Sequence, residues 1–201
     1  MRRSGQPQRG TSLVELLVST LFLSILMAIS YTFARAALMT VRVQEVKSEA
    51  QEATVMALDI MARELRMAGF SADGAALPPL RVAAPERVEV VSDLNGDGDT
   101  ADSNERVAYS YDDTSHQLMR ATGGASPQPF IRNVPPAGFH LSYFDAAGTE
   151  IPAGSTGMAS TQLRRVHRID LTVRVEATNP DPNVTAPLRS AVASSVCLRN
   201  Q

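Results

Sequence analysis

The chain has 201 residues, a formal net charge of −2 and 20% charged side chains. That length allows one domain of modest size besides a membrane segment, and a net charge near zero argues against a nucleic-acid partner. A single cysteine, Cys197, excludes a disulfide within the chain, so the folded part must depend on its apolar core or on a bound ion.

The first predicted element is an apolar helix long enough to cross a membrane. Glu15 and Arg35 bracket 19 consecutive uncharged residues, close to the roughly 20 that a helix needs to span a bilayer. Residues 1–10 carry three arginines and no acid, and such a basic flank stays in the cytoplasm. The sequence therefore predicts a single membrane-spanning helix segment over 11–34, with the bulk of the chain on the far side of the membrane.

The residues at the start of this segment resemble the leader and mature N-terminus of type IV pilins and type II secretion pseudopilins. Gly10 precedes Thr11, and Glu15 is the fifth residue counted from Thr11. The resemblance implies that a prepilin peptidase removes the leader 1–10 by cutting after Gly10. It also implies that Thr11 becomes the N-methylated terminus, and that Glu15 sets the register of the subunit in a filament. Thr11 departs from the Phe or Met with which the mature chains of this family usually begin.

Other interpretations of this end of the chain stay open. Ala34 and Ala36 flank Arg35 with the small-x-small spacing of a signal peptidase site, although the apolar run exceeds the 7–15 residues or so of a signal peptide. An uncleaved membrane anchor is a further alternative, and Glu15 would then be an interfacial acid without a partner. The three alternatives predict chains that begin at Thr11, Ala37 or Met1.

The helix is predicted to continue past the membrane. No Gly or Pro occurs from Thr11 to Ala68, and these are the two strongest helix breakers. Within 35–69, apolar residues recur at steps of three and four, which predicts an amphipathic half that packs on a sheet. Gly69 is the predicted stop.

An acidic loop follows in the middle of the chain. Asp93, Asn95, Asp97 and Asp99 alternate, with Gly98 at the sixth position, and this pattern begins a calcium-binding loop. The full motif has Glu at the twelfth position. This chain has Asn104 there, and Glu105 follows it. The predicted calcium ligands are therefore Asp93, Asn95, Asp97, Asp99 and Glu105. The alternative is a polar turn without an ion, since Asn-Gly and Asp-Gly are favoured turn pairs.

The residues after the helix are predicted to form a β-rich globular head over 70–201. Short alternating runs between turn residues predict strands at 87–91, 106–111, 116–120, 130–134, 139–144, 165–177 and 188–198. In the longest of them His167, Ile169, Leu171, Val173 and Val175 share the apolar face. The sequence thus predicts an α+β fold, with a long N-terminal helix laid on an antiparallel β-sheet, and this is the pilin fold that the resemblance implies.

Two further stretches resemble PilW-type minor pilins, namely 63–70 and the terminal Leu198-Arg199-Asn200, as does the acidic loop. The resemblance implies a minor pilin that primes or caps a type IV pilus and is not an enzyme. Its partners would be the prepilin peptidase, other minor and major pilins, and the inner membrane. It would be a single-pass inner-membrane protein with a periplasmic head that later joins the filament at the cell surface. The alternatives are a minor pseudopilin of a type II secretion system and a pilus-tip adhesin.

Overall fold

A computed structural model describes residues 12–200. The chain forms two compact units, one ending at Gln44 and one beginning at Glu45. The first helix, α1, covers Leu13–Met67, and the second unit holds all the strands and a short helix. In chain order these elements are β1 Leu80–Ala84, β2 Arg87–Val91, β3 Arg106–Asp112, β4 Gln117–Thr122, β5 Gln128–Arg132, β6 Phe139–Phe144, α2 Ser160–Leu163, β7 Arg168–Ala177 and β8 Leu188–Cys197.

The strands form two antiparallel sheets rather than the single sheet that was predicted. A five-stranded sheet has the order β1-β2-β3-β4-β5, and a three-stranded sheet has the order β6-β7-β8. Pro135 and Pro136 lie between β5 and β6, and proline supplies no N–H for a sheet ladder. The chain therefore stops extending the first sheet there and begins the second. Tyr143 on β6 ties the two together, since its hydroxyl donates to the Ala84 carbonyl at 2.8 Å.

The second half of α1 supplies one wall of the core. Its buried side chains fall on one face at the spacing i, i+3, i+4, i+7, i+8 and i+11, namely Thr54, Ala57, Leu58, Met61, Ala62 and Leu65. The five apolar ones belong to one cluster with the inward-facing residues of both sheets, of which the largest fully buried are Tyr109, Tyr143, Phe139, Leu118, Leu141, Ile169 and Leu171. The predicted α+β class, a long N-terminal helix packed on antiparallel β-structure, is confirmed.

Gly69 ends α1, as predicted. Its φ of +74° lies in the left-handed region that favours glycine, and its N–H donates to the Val91 carbonyl at 2.8 Å. The chain then runs beside the end of β2, where Phe70 accepts a hydrogen bond from the Asp93 N–H at 2.8 Å. The end of the helix is therefore fastened to the start of the acidic loop.

Candidate functional site

The first half of α1 exposes an unbroken apolar surface. Every large apolar side chain from Leu13 to Phe33 is exposed, and the least exposed of them, Val18, still presents 45% of its surface. By length and composition, α1 is a helix that could cross a membrane. Soluble proteins rarely leave so large a contiguous apolar surface in water. This segment is therefore suited to lipid or to the apolar faces of other helices.

Several hydroxyl groups along the exposed part of α1 are hydrogen-bonded within the helix. Five of them donate to carbonyls three or four residues earlier at 2.7–3.0 Å, on Ser19, Thr20, Ser24, Thr32 and Thr40. A helix in lipid has to satisfy its polar groups internally, and these back-bonds do so. They make these five side chains compatible with an apolar environment.

Glu15 lies in the first turn of α1, where the positive end of the helix dipole favours a carboxylate. The Glu15 backbone carbonyl accepts the Ser19 hydroxyl at 2.7 Å. The predicted cleavage residues Gly10 and Thr11 lie outside the described residues, so cleavage and methylation stay predictions.

The acidic loop connects β2 to β3, and Asp93 is its buried first residue. The Asp93 side chain is 2% exposed. Its Oδ1 accepts the Gly96 N–H at 2.6 Å and its Oδ2 accepts the Gly98 N–H at 3.1 Å. Both glycines have positive φ, which lets the chain curl around the carboxylate. Asp93 thus shapes the loop through both of its oxygens.

The next three polar residues form successive side-chain-to-backbone turns. The Oδ1 atoms of Asn95, Asp97 and Asp99 each accept the N–H of the residue two positions later, at 2.8–3.0 Å. The Asn95 amide also donates to the carboxylates of Asp97 and Asp102 at 2.9 and 3.0 Å. These bonds hold the exposed part of the loop in a compact coil.

Glu105 closes the loop from its far end and is buried. Its side chain is 2% exposed, and its Oε1 accepts the N–H groups of Leu94 and Asn95 at 2.8 and 3.3 Å. Its Oε2 is also buried, with no hydrogen-bond partner among the described residues. An unsatisfied buried oxygen of this kind is costly.

Three of the five predicted calcium ligands are brought together. One carboxylate oxygen from each of Asp97, Asp99 and Glu105 lies within 4.8 Å of the other two. Asp93 is not part of this group, because its oxygens face the Gly96 and Gly98 amides. Asn95 directs its amide at neighbouring carboxylates. The chemistry that this arrangement supports is the binding of a hard cation by oxygen ligands.

A polar cluster on α1 was not predicted from the sequence. The Glu64 carboxylate accepts a hydrogen bond from the Tyr109 hydroxyl. It also accepts two hydrogen bonds from the Arg120 guanidinium, at 2.5 and 3.1 Å. The hydrogen bond to Glu64 raises the pKa of Arg120. The pKa of Tyr109 is also raised, mainly by burial and to a smaller extent by the hydrogen bond to Glu64. Tyr109 and Arg120 are cross-strand partners on β3 and β4, but only the fold shows that both reach the helix.

A second unpredicted cluster surrounds Glu89 on β2. Its carboxylate is approached by Arg81, Arg87 and Arg106 at 3.3–3.6 Å, and the residue is only 8% exposed. Alternation with Val88 and Val90 places Glu89 on the opposite face of β2 from these valines. The arginines that cover it come from the neighbouring strand β1, from β2 and from β3, and strand pairing is not apparent in the local sequence.

Comparison with known proteins finds similarity at the level of structure. No protein-family description and no curated protein matches the sequence. Among solved structures, the chain is similar to a type IV-like pilin from Thermus thermophilus, with 15% identity and a TM-score of 0.48 over 75% of this chain and 97% of that one. A similarity of this degree assigns no function to the chain.

Proposed function

We propose that this chain is a minor pilin, a structural subunit that primes or caps a type IV pilus. The observation that carries the proposal is the exposed apolar half of α1, which begins beside a single acid. Such a surface needs apolar surroundings, and a bilayer and a bundle of equivalent helices both provide them. The subunit would move from the inner membrane into the filament without exposing this surface to water.

Maturation would prepare the N-terminus for assembly. The prepilin peptidase cuts after Gly10, and Thr11 becomes the new and methylated terminus. The Thr11 amine of one subunit then pairs with the Glu15 carboxylate of a neighbour inside the bundle. Because a buried acid without a partner is strongly destabilising, Glu15 selects the register of the incoming subunit. The head remains in the periplasm and contacts other pilins, and the chain has no catalytic role.

The first test is the N-terminal sequence of the chain recovered from membranes of strains with and without the peptidase. We expect the chain to begin at Thr11 when the peptidase is present and at Met1 when it is deleted. A start at Ala37 would indicate signal peptidase. A start at Met1 in both strains would indicate an uncleaved anchor. Either result would overturn the proposal.

The second test uses Glu15→Ala, with Glu45→Ala as its matched control. Glu45 is an exposed acid on the same helix, outside the apolar segment. We expect Glu15→Ala to abolish recovery of the subunit in sheared filaments while its amount in the membrane is unchanged, and Glu45→Ala to behave as wild type. A deletion strain that keeps its pili but loses protein secretion would reassign the chain to a type II secretion pseudopilus.

A further inference from the structure

We propose that the β2–β3 loop binds a calcium ion through the carboxylates of Asp97, Asp99 and Glu105. In this assignment Asp93 is a shaping residue that coils the loop, and Glu105 is the buried ligand. The inference concerns the head alone and does not depend on the role of α1 in a filament.

Three carboxylate oxygens of the loop lie close together. Oxygens that share one calcium ion lie about 2.3–2.6 Å from it, so any two of them are separated by at most about 5 Å. The oxygens offered by Asp97, Asp99 and Glu105 all lie within 4.8 Å of one another. They are therefore close enough to bind one ion without a rearrangement of the backbone.

The buried carboxylate of Glu105 also favours a bound cation. Its Oε1 receives two backbone N–H groups, whereas its Oε2 is buried without a hydrogen-bond partner among the described residues. Native proteins rarely leave a buried charged atom unsatisfied. A cation held between Glu105 and the two aspartates would satisfy it, which a plain polar turn would not do.

The negative charge of the loop favours a cation as well. Residues 93–105 contain five acids and no Lys or Arg, and among the described residues none of these acids forms an ion pair, in contrast to Glu64 and Glu89. Five carboxylates within one short loop repel one another. A divalent cation removes much of that repulsion.

Calcium suits this loop better than magnesium. Calcium accepts six to eight oxygens in flexible geometry, whereas magnesium requires a near-ideal octahedron and retains several waters. Asp97 and Asp99 are exposed and Glu105 is buried, so an ion has access from solvent on one side. Water and backbone carbonyls would fill the positions that the three carboxylates leave free.

The ion would stabilise the connection beside the end of α1. The Asp93 N–H donates to Phe70 at 2.8 Å, the Ala72 N–H donates to Asp93 at 3.0 Å, and the Ser92 N–H donates to Glu105 at 2.8 Å. The two ends of the loop are thus joined to each other and to the residues that follow the helix. Calcium binding would order the exposed middle of the loop on this fixed base.

The test is calorimetric titration of the full chain in detergent, after removal of divalent ions with a chelator. We expect one calcium ion to bind with a dissociation constant on the order of 10⁻⁴ to 10⁻³ M, as in weak extracellular sites, and magnesium to bind at least tenfold more weakly. Glu105→Gln keeps the acceptor for the Leu94 N–H and should weaken calcium binding at least tenfold. Asp99→Asn, at an exposed position, should do the same without disturbing the fold.

Asp113→Asn is the matched control, because it removes one exposed carboxylate from the turn between β3 and β4. Its calcium affinity should equal that of wild type. Hydrogen exchange should show that calcium protects residues 93–105 in the wild type and in Asp113→Asn but not in Asp99→Asn. Absence of calcium binding at millimolar concentration would overturn the proposal, as would equal affinity in all four proteins.

Discussion

Arg120 on β4 donates two hydrogen bonds to the Glu64 carboxylate on α1, from Nη2 to Oε1 at 2.5 Å and from Nε to Oε2 at 3.1 Å. In this bidentate arrangement the planar guanidinium fixes the orientation of the carboxylate as well as its distance. Glu64 directly precedes the fully buried Leu65, so the contact fixes the rotation of this part of α1 over the five-stranded sheet.

Replacing Arg120 should therefore cost stability. Arg120→Met removes both hydrogen bonds and leaves Glu64 with Tyr109 as its remaining described partner. We expect the free energy of unfolding to fall by about 1–2 kcal/mol, the lower part of the range for charge-assisted bonds, because both side chains are partly exposed. Guanidinium unfolding of the full chain in detergent, followed by circular dichroism, measures this change.

The neighbouring helix position provides the control for that measurement. Arg63 pairs with Asp59 at 2.6 Å, but these side chains are 74% and 53% exposed. Arg63→Met should lower the free energy of unfolding by only about 0–0.5 kcal/mol, since solvent screens an exposed pair. Equal losses in the two variants would mean that the Glu64 contact does not brace the helix.

Gly69 offers a second stability prediction. A methyl group on its Cα would overlap the Asn200 carbonyl oxygen, and its φ is +74°. Gly69→Ala should lower the free energy of unfolding by about 2–4 kcal/mol, because backbone strain and steric overlap both act. Gly74 has a similar φ of +78° with open space around it. Gly74→Ala should therefore cost only about 1 kcal/mol, and a loss at Gly69 no larger than this would exclude the overlap.

Local patterns predicted much of the fold. The run without Gly or Pro and the Gly69 stop located α1 and its end, because both are properties of neighbouring residues. The strand 80–84 was not predicted, because it ends in Ala83 and Ala84, which give a weak β signal. The strand is defined instead by its pairing with β2. The division into two sheets was missed for the same reason, because strand order is set by contacts distant in sequence.

His167 shows how a register error arises. Alternation placed it on the apolar face of a strand from 165, but β7 begins at Arg168 and His167 is exposed, whereas Val166 is buried. The period-two pattern holds only within the strand, where Ile169 and Leu171 are buried as predicted.

The spacing of its acidic residues identified the loop, but the sequence did not show that these residues have different roles. Asp93 turns both oxygens to backbone amides, while Glu105 is buried with one oxygen that has no hydrogen-bond partner among the described residues. This difference depends on where β2 ends and β3 begins.

The buried tyrosines predict loss of stability at alkaline pH. Burial is the main cause that raises the pKa of Tyr109 and of Tyr143 above 10. The unfolded chain releases these protons near pH 10 while the folded chain retains them, so the free energy of unfolding falls as the pH rises above about 10. The contribution of the protonated tyrosines to stability is fully present below about pH 10. It is lost progressively as the pH rises toward the pKa values of Tyr109 and Tyr143 in the folded chain.

Tyr109→Phe should flatten this decline by up to about 1.4 kcal/mol per pH unit, the value for one proton. The slope of stability against pH between 9 and about 11.5 is the quantity to compare, because the variant also loses its hydrogen bond to Glu64 at every pH. Parallel slopes in the variant and the wild type would contradict the assignment.

Two methionines on α1 test which face of the helix carries the core. Met61 is fully buried, whereas Met56 is 68% exposed. Met61→Ala opens a cavity among the side chains of α1 and both sheets and should lower the free energy of unfolding by about 2–5 kcal/mol. Met56→Ala makes the same chemical change on the exposed face and should shift it by less than about 0.5 kcal/mol. Unfolding curves of the two variants in the same detergent measure the difference. Similar losses would mean that the helix packs through a different face, and the positions assigned to Thr54, Leu58 and Leu65 would then be wrong as well.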